Sequence, residues 1–373
     1  MASEVVDLFV ELAALPSPPG EERAVADAVI RYLHDLGLTV DEDDAGAKVG
    51  SSMGNVYCRL EPNDGGGEPL FFCAHLDTVP PVGPLEPVIE DGVVRNAGGT
   101  ILGADNKSAV AAMLEGTRRV LVENRPHGGI ELLFTPKEEV GLLGAAAFDH
   151  ERLAARVGYV YDQAAPIGEV ILGAPHSQAM QVRFHGKAAH SGMYPEDGRS
   201  AIAAAARAIA DLRLGRVDDE TTANVGLIQG GTAGNIIPEW CSLDAEARSH
   251  DERKLADLVQ EMLDAFSFAA GLEDCEVEAQ VSKSYRGYRF KREDPVVRIA
   301  HAALERSGYT PEYGLSGGAA DANVFNDRGL ACLNLANGMK DIHTADERIT
   351  VEDLEGMVEV TLALVDVARD ADA

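Results

Sequence analysis

The sequence predicts an α/β protein: a mixed, largely parallel sheet flanked by helices, interrupted by a smaller inserted unit of βαββαβ order. Three observations carry this. Short apolar runs (Val56–Leu60, Leu70–Ala74, Ile130–Thr135 and Gly158–Tyr161) alternate with helical patterns, the order that builds parallel sheets. Near Pro175 the pattern gives way to closely spaced strands, and after Tyr285 it returns.

Two amphipathic helices open the chain, near Glu4–Ala14 and Glu21–Leu36. The run Asn63–Glu68 (NDGGGE) reads as a turn, because Gly and Asn/Asp tolerate turn backbone. A third helix spans Asp105–Glu123. In the inserted unit, Gln178–Phe184 alternates, Ser200–Leu212 is an Ala-rich helix, and Thr222–Gln229 and Cys241–Arg248 are strands. Asp251–Ala269 is a helix and Cys275–Val281 a last strand, which completes the ferredoxin-like order. The main pattern resumes with a helix near Pro295–Ser307, a strand at Leu330–Leu335 and a terminal helix from Val351. Residues 1–174 and 284–373 therefore form one domain and 175–283 a second, a lid.

With 373 residues, two cores are expected. The net charge is −30; such a chain repels phosphate backbones and anionic lipid, so nucleic-acid and membrane-surface partners are disfavoured. Eight Lys against a large Arg and acidic content suits a high-salt habitat or a genomic bias alike. Five widely spaced Cys, an odd number without C-x-x-C, fit reduced thiols in a cytoplasm. Met1–Pro16 carries Glu4, Asp7 and Glu11 and lacks the basic and apolar regions of a signal peptide. No apolar run reaches the ~20 residues of a membrane span.

Chemistry-bearing residues cluster at strand ends. His75 and Asp77 follow one apolar strand, Glu138 and Glu139 another, and Asp162 a third; His343 follows Leu330–Leu335, and Asp105 opens a helix. Ligands of open α/β sheets bind at the carboxyl ends of strands, and converging carboxylates and imidazoles suit Zn, Co or Mn. Singly, each has a plainer explanation. Asp105 could be a helix cap, Glu138–Glu139 a solvated pair, Asp77 a turn stabiliser and His75 a structural histidine.

Several stretches together resemble a known family. They are His75-Leu76-Asp77-Thr78-Val79-Pro80, Gly103-Ala104-Asp105-Asn106-Lys107, Lys137-Glu138-Glu139-Val140-Gly141 and Gly186–Gly192 around His190. Asn235–Glu239, Gly317–Asn323 and Asp341-Ile342-His343-Thr344 with Glu347 complete the set. The chain resembles, over nearly its whole length, the co-catalytic di-metal peptidases that include peptidase T, acetylornithine deacetylase and carboxypeptidase G.

The resemblance implies a zinc-peptidase catalytic domain with a lid, and two divalent metal ions. His75, Asp105 and Asp162 would hold one ion; Asp105, Glu139 and His343 would hold the other, with a hydroxide between them. Glu138 would be the general base, and Asp77 would hold the second nitrogen of His75. His190 of the lid would donate to the oxyanion. Asn235, Arg248, Gly317 and Gly318 would bind substrate, with a surface salt bridge the alternative for Arg248. A cis peptide is expected at Asp105–Asn106, and a homodimer through the lid. Asp162, where related carboxypeptidases and deacylases tend to carry Glu, favours an aminopeptidase of peptidase T type acting on short peptides such as tripeptides. Asp162-Gln163-Ala164-Ala165 departs from the peptidase T pattern and leaves strict tripeptide specificity open. The alternatives are an N-acyl amino-acid deacylase or a carboxypeptidase, and, in another class, a non-catalytic metal-binding homologue. Retention of Glu138 and all five candidate ligands speaks against the last.

Overall fold

A computed structural model describes residues 3–63 and 66–370. Asp64 and Gly65, within the expected turn Asn63–Glu68, lie outside the described residues. The chain divides into two compact units, one running to Gly173 and resuming at Arg289, the other Ala174–Tyr288. The second unit extends past 283 because its last strand, Glu276–Tyr285, is longer than its apolar pattern suggested. That strand is almost wholly exposed, so burial leaves no mark on its sequence.

The first unit is built on an eight-stranded sheet. Its strand order is Val40–Glu42, Val56–Leu60, Ile130–Thr135, Leu70–His75, Val157–Val160, Ala331–Leu335, Glu169–Ile171 and Glu312–Gly314. Leu70–His75 lies parallel to both Ile130–Thr135 and Val157–Val160, and Ala331–Leu335 lies parallel to Val157–Val160. Antiparallel pairs occur at the first two strand contacts and between Ala331–Leu335 and Glu169–Ile171. The central strands are buried along their length, which explains their continuous apolar sequence.

Helix Ala104–Val122 is buried nearly all round. It packs against Leu70–His75 and between the helices Glu4–Ala13 and Val351–Asp370. A separate three-stranded sheet, Pro87–Glu90, Val93–Asn96 and Arg348–Thr350, ties the C-terminal segment to the region just before that helix.

The second unit is a five-stranded antiparallel sheet, ordered Gly215–Asp218, Thr221–Gly230, Trp240–Ser249, His176–His185 and Glu276–Tyr285. Helices Ala201–Asp211 and Glu252–Leu272 cover one face. Met180, Val182 and Phe184 alternate inward with Cys241, Leu243 and Ala245, and meet Ala204, Ala208, Leu258 and Phe266. Ser200 and Asp251 cap the two helices through their side chains. The βαββαβ order is present, with Gly215–Asp218 as an added short strand.

Candidate active site

Three adjacent parallel strands end at one edge of the large sheet, and their register sets the site. His75 is the last residue of its strand and pairs with Thr135. Three residues beyond Thr135 come Glu138 and then Glu139, reached through Lys137 at φ 56. Asp162 lies just past Val157–Val160. Asp105 arrives from a different direction, at the head of the buried helix. There the Asp105–Asn106 peptide is cis.

The Asp105 carboxylate touches two histidines, one with each oxygen. Oδ1 is 3.1 Å from His75 Nε2 and Oδ2 is 3.1 Å from His343 Nε2. His343 Nε2 is also 3.0 Å from Glu139 Oε1. His75 Nε2 lies 3.9 Å from Glu138 Oε2 and 4.0 Å from Asp162 Oδ2. Potential ligand atoms group as His75, Asp105 and Glu139, and as His75, Glu138 and Asp162.

This donor set fits metal. Donors ~2.0–2.1 Å from a tetrahedral ion stand about 3.3 Å apart, near the spacings seen around Asp105. Among the described residues, no Lys or Arg ion pair engages Asp105, Glu138, Glu139 or Asp162. Four close carboxylates need positive charge, and here only two imidazoles offer it.

The electrostatics follow. Burial pushes the Glu138 carboxyl well above its usual range; His75 opposes this, and Asp162, Asp321 and Glu139 add to it. Burial likewise raises Asp162, with Asp105 contributing. Burial would lower His75, but the Asp105 and Asp77 carboxylates outweigh it and hold the imidazole well above its ordinary value. Asp105 and Glu139 push His343 up to about 10. Burial works against ionisation of Asp105, yet the His343 and His75 contacts keep it well below the usual carboxylate range. A protonated imidazole cannot ligate, so metal binding displaces these protons.

Asp77 meets the second ring nitrogen of His75, and does so through its main chain. His75 Nδ1 is 2.9 Å from the Asp77 main-chain oxygen, while the Asp77 carboxylate is 3.6 Å away. That carboxylate instead accepts the main-chain N–H groups of Glu138 (2.9 Å) and Glu139 (3.1 Å). One residue thus orients His75 through its carbonyl and fixes the Glu–Glu turn through its side chain.

Gly317 and Gly318 lie in the first unit, before helix Asp321–Asp327. A Cβ at Gly317 would meet nothing within 4 Å, so its surroundings leave room for another backbone. His190, Asn235 and Arg248 belong to the second unit. His190 is exposed; its Nδ1 accepts the N–H groups of Gly192 and Met193 at 3.2 Å, and its loop bonds to the Asn235 loop through Ser191 N–H to Asn235 O. Arg248 is half-buried and donates to Glu246 at 3.0 Å.

Three residues acting at the site carry no role in the sequence reading. Asn334 bonds twice to the main chain of Asp162. Glu347 accepts three amides around Asp105. Asp321 is buried beneath the site, where its Oδ2 accepts from Thr135 Oγ1 at 2.6 Å and lies 3.7 Å from Cys73 Sγ. Burial raises its carboxyl to about 6. Asp321 and Glu347 fall within the quoted motifs; Asn334 has no local signal.

A sheet edge lined by paired imidazoles and carboxylates, on an α/β unit interrupted by a second unit, is the arrangement of a metal-dependent hydrolase, and the known proteins it resembles make it a metallopeptidase. The chain matches the peptidase dimerisation domain over residues 174–271 and peptidase family M28 over 55–192. It is 39% identical to aminopeptidase PepT of Bacillus cereus, with 98% of each chain covered and a TM-score of 0.88. A tripeptidase of Staphylococcus aureus is 33% identical, covers 99% of this chain and 100% of its own, and superposes with a TM-score of 0.93. YqjE of Bacillus subtilis is 38% identical over 364 residues, 98% of each chain. The chain belongs to the peptidase T-like family of metallopeptidases.

Proposed function

We propose that this protein is an aminopeptidase that hydrolyses the N-terminal peptide bond of short peptides, tripeptides among them, with two divalent ions, zinc in the first instance and cobalt or manganese as substitutes. The observation that carries this is the Asp105 carboxylate, with one oxygen at His75 and the other at His343, both at 3.1 Å. In this reading His75, Asp105 and Asp162 would hold one ion, and Asp105, Glu139 and His343 would hold the other. Ions held there would supply Lewis acidity to a substrate carbonyl and would lower the pKa of water towards neutral pH.

The rest is done by the chain. Glu138 is not a ligand. Its buried carboxyl, held well above the usual carboxylate range by burial, takes the proton of the attacking water and delivers it to the leaving amine. Asp77 keeps Glu138 in place through the main chain. His190 donates to the oxyanion, and Asn235, Arg248, Gly317 and Gly318 bind the peptide ends. The second unit pairs two chains into a homodimer; the dimerisation-domain match and the exposed strand Glu276–Tyr285 support this. Reduced cysteines support a cytoplasmic setting. No described helix is long and apolar enough to cross a membrane.

The test is a substrate panel run alongside metal analysis. The expected result is two ions per chain, and a tripeptide cleaved faster than its N-acetylated form. Faster cleavage of the acetylated peptide would overturn the aminopeptidase assignment in favour of a deacylase.

A further inference from the structure

Glu347 is 2% exposed, and its carboxylate is given over to main-chain amides. Oε2 accepts the N–H groups of Leu102 and Gly103, both at 2.8 Å, and Oε1 accepts that of Asp105 at 3.0 Å. These amides open helix Ala104–Val122. Gly103 stands at its N-cap position with φ 78 and has no side chain to cap with, and Asp105 (φ −83, ψ 103) is not yet helical. The first amides of a helix lack intrahelical acceptors. Here a carboxylate 242 residues away in sequence supplies one at the positive end of the helix.

The same loop reaches Asp105 a second time. Lys340 and Arg348 pair main chain to main chain in both directions, at 2.9 and 3.1 Å, closing a loop that carries both His343 and Glu347. Asp341 and Arg348 form an ion pair across its base. Arg348–Thr350 then pairs with Val93–Asn96, which fixes the loop beside the approach to the helix. His343 meets the end of the Asp105 side chain, and Glu347 meets its main-chain N–H.

We propose that Glu347 is a positioning residue for metal loading: it pins the Asp105 main chain so that both carboxylate oxygens stay presented to opposite histidines. This rests on Asp105 being the shared ligand. A carboxylate hinged on a loose turn can serve one imidazole well and the other poorly. With its N–H held, the carboxylate has one placement that serves both.

The experiment titrates zinc into the metal-free full-length protein against a chromophoric chelator, for wild type, Glu347→Gln and Asp105→Ala. The amide keeps the side-chain volume but turns an NH2 group towards an N–H donor. The expected result is a folded E347Q that binds at least one zinc ~10–100-fold more weakly than wild type, with an altered absorption spectrum when loaded with cobalt. Two zinc ions bound at wild-type affinity overturn the proposal, as does a lowered melting temperature of the metal-free protein with zinc affinity unchanged. If E347Q does not fold, Glu347→Asp, which keeps the charge and shortens the reach, is measured against the same outcomes. Asp105→Ala binding zinc like wild type, or wild type taking up none, overturns the metal centre and the role of Glu347 with it.

Discussion

Asp162 and Asn334 hydrogen-bond to each other twice: the Asp162 N–H donates to Asn334 Oδ1 at 2.9 Å, and Asn334 Nδ2 donates to the Asp162 carbonyl at 2.7 Å. Asn334 is buried at the end of a parallel strand adjoining Val157–Val160. It therefore sets the main chain from which Asp162 projects. Asn334→Ala strands two partly buried groups, so a loss of about 1–3 kcal/mol in stability is expected. Zinc uptake should weaken as well. Thermal melts of loaded and metal-free protein, read against zinc titrations, check both.

The adjacent glutamates should separate cleanly. Glu138→Ala is expected to keep both ions and lose ~10²–10⁴-fold in kcat, the range supplied by a general base. Glu139→Ala is expected to lose metal, because its Oε1 lies 3.0 Å from His343 Nε2. Metal analysis and kcat on the same preparations distinguish them. An E138A enzyme with most of its activity would refute the assigned base.

Metal removal should make stability fall with rising pH. Burial raises Glu138 and Asp162 well above the usual range and Asp321 to about 6. Above pH ~4 an unfolded chain has released protons that the folded one still holds. The stability these groups contribute is thus present below their unfolded values and lost as pH rises through the folded ones, on the order of 3 kcal/mol for Asp321 alone. The raised histidines act in the same direction, His343 up to about 10. Asp105 has the opposite sign, but its window lies below the usual carboxylate range. Chelated protein should therefore melt lower at pH 8 than at pH 5. The zinc-loaded protein should hold its melting temperature, since metal replaces the protons.

Assembly is tested by mixing. Light scattering at micromolar concentration should give a homodimer. Inactive Glu138→Ala and His190→Ala chains, refolded together in equal amounts, should recover roughly a quarter of wild-type activity if His190 serves the partner's site, as two-fold symmetry requires. No recovery in a mixture shown to contain heterodimers places His190 in its own chain's site.

The strands and the imidazoles and carboxylates at their ends were legible because their signals are local. A buried parallel strand writes a continuous apolar run, and its last residue is countable. The sheet Pro87–Glu90, Val93–Asn96 and Arg348–Thr350 went unread, although Asp91–Gly92, with φ 51 and 77, is a hairpin signal between two apolar pairs. The contacts of Glu347, a residue of the quoted motifs, and of Asn334, which lies outside them, were illegible in a different way. Each acts on main chain far away in sequence, and a main-chain amide leaves no trace in residue identity. Asp77 combined both cases: its identity pointed to His75, while its carboxylate is spent on the amides of Glu138 and Glu139.

Strand Ala331–Leu335 inserts between Val157–Val160 and Glu169–Ile171, both made far earlier in the chain. A ribosome working from the N-terminus therefore completes the contiguous unit Ala174–Tyr288 while the sheet of the first unit still lacks an interior strand. At that stage His75, Glu138, Glu139 and Asp162 exist, but Asn334, His343 and Glu347 do not. A nascent or truncated chain is thus left with a gap in its sheet, two open strand edges and crowded acids without their partners. The sheet edge that gathers His75, Asp105, Glu139 and His343 is therefore complete only once residues 331–347 have been made.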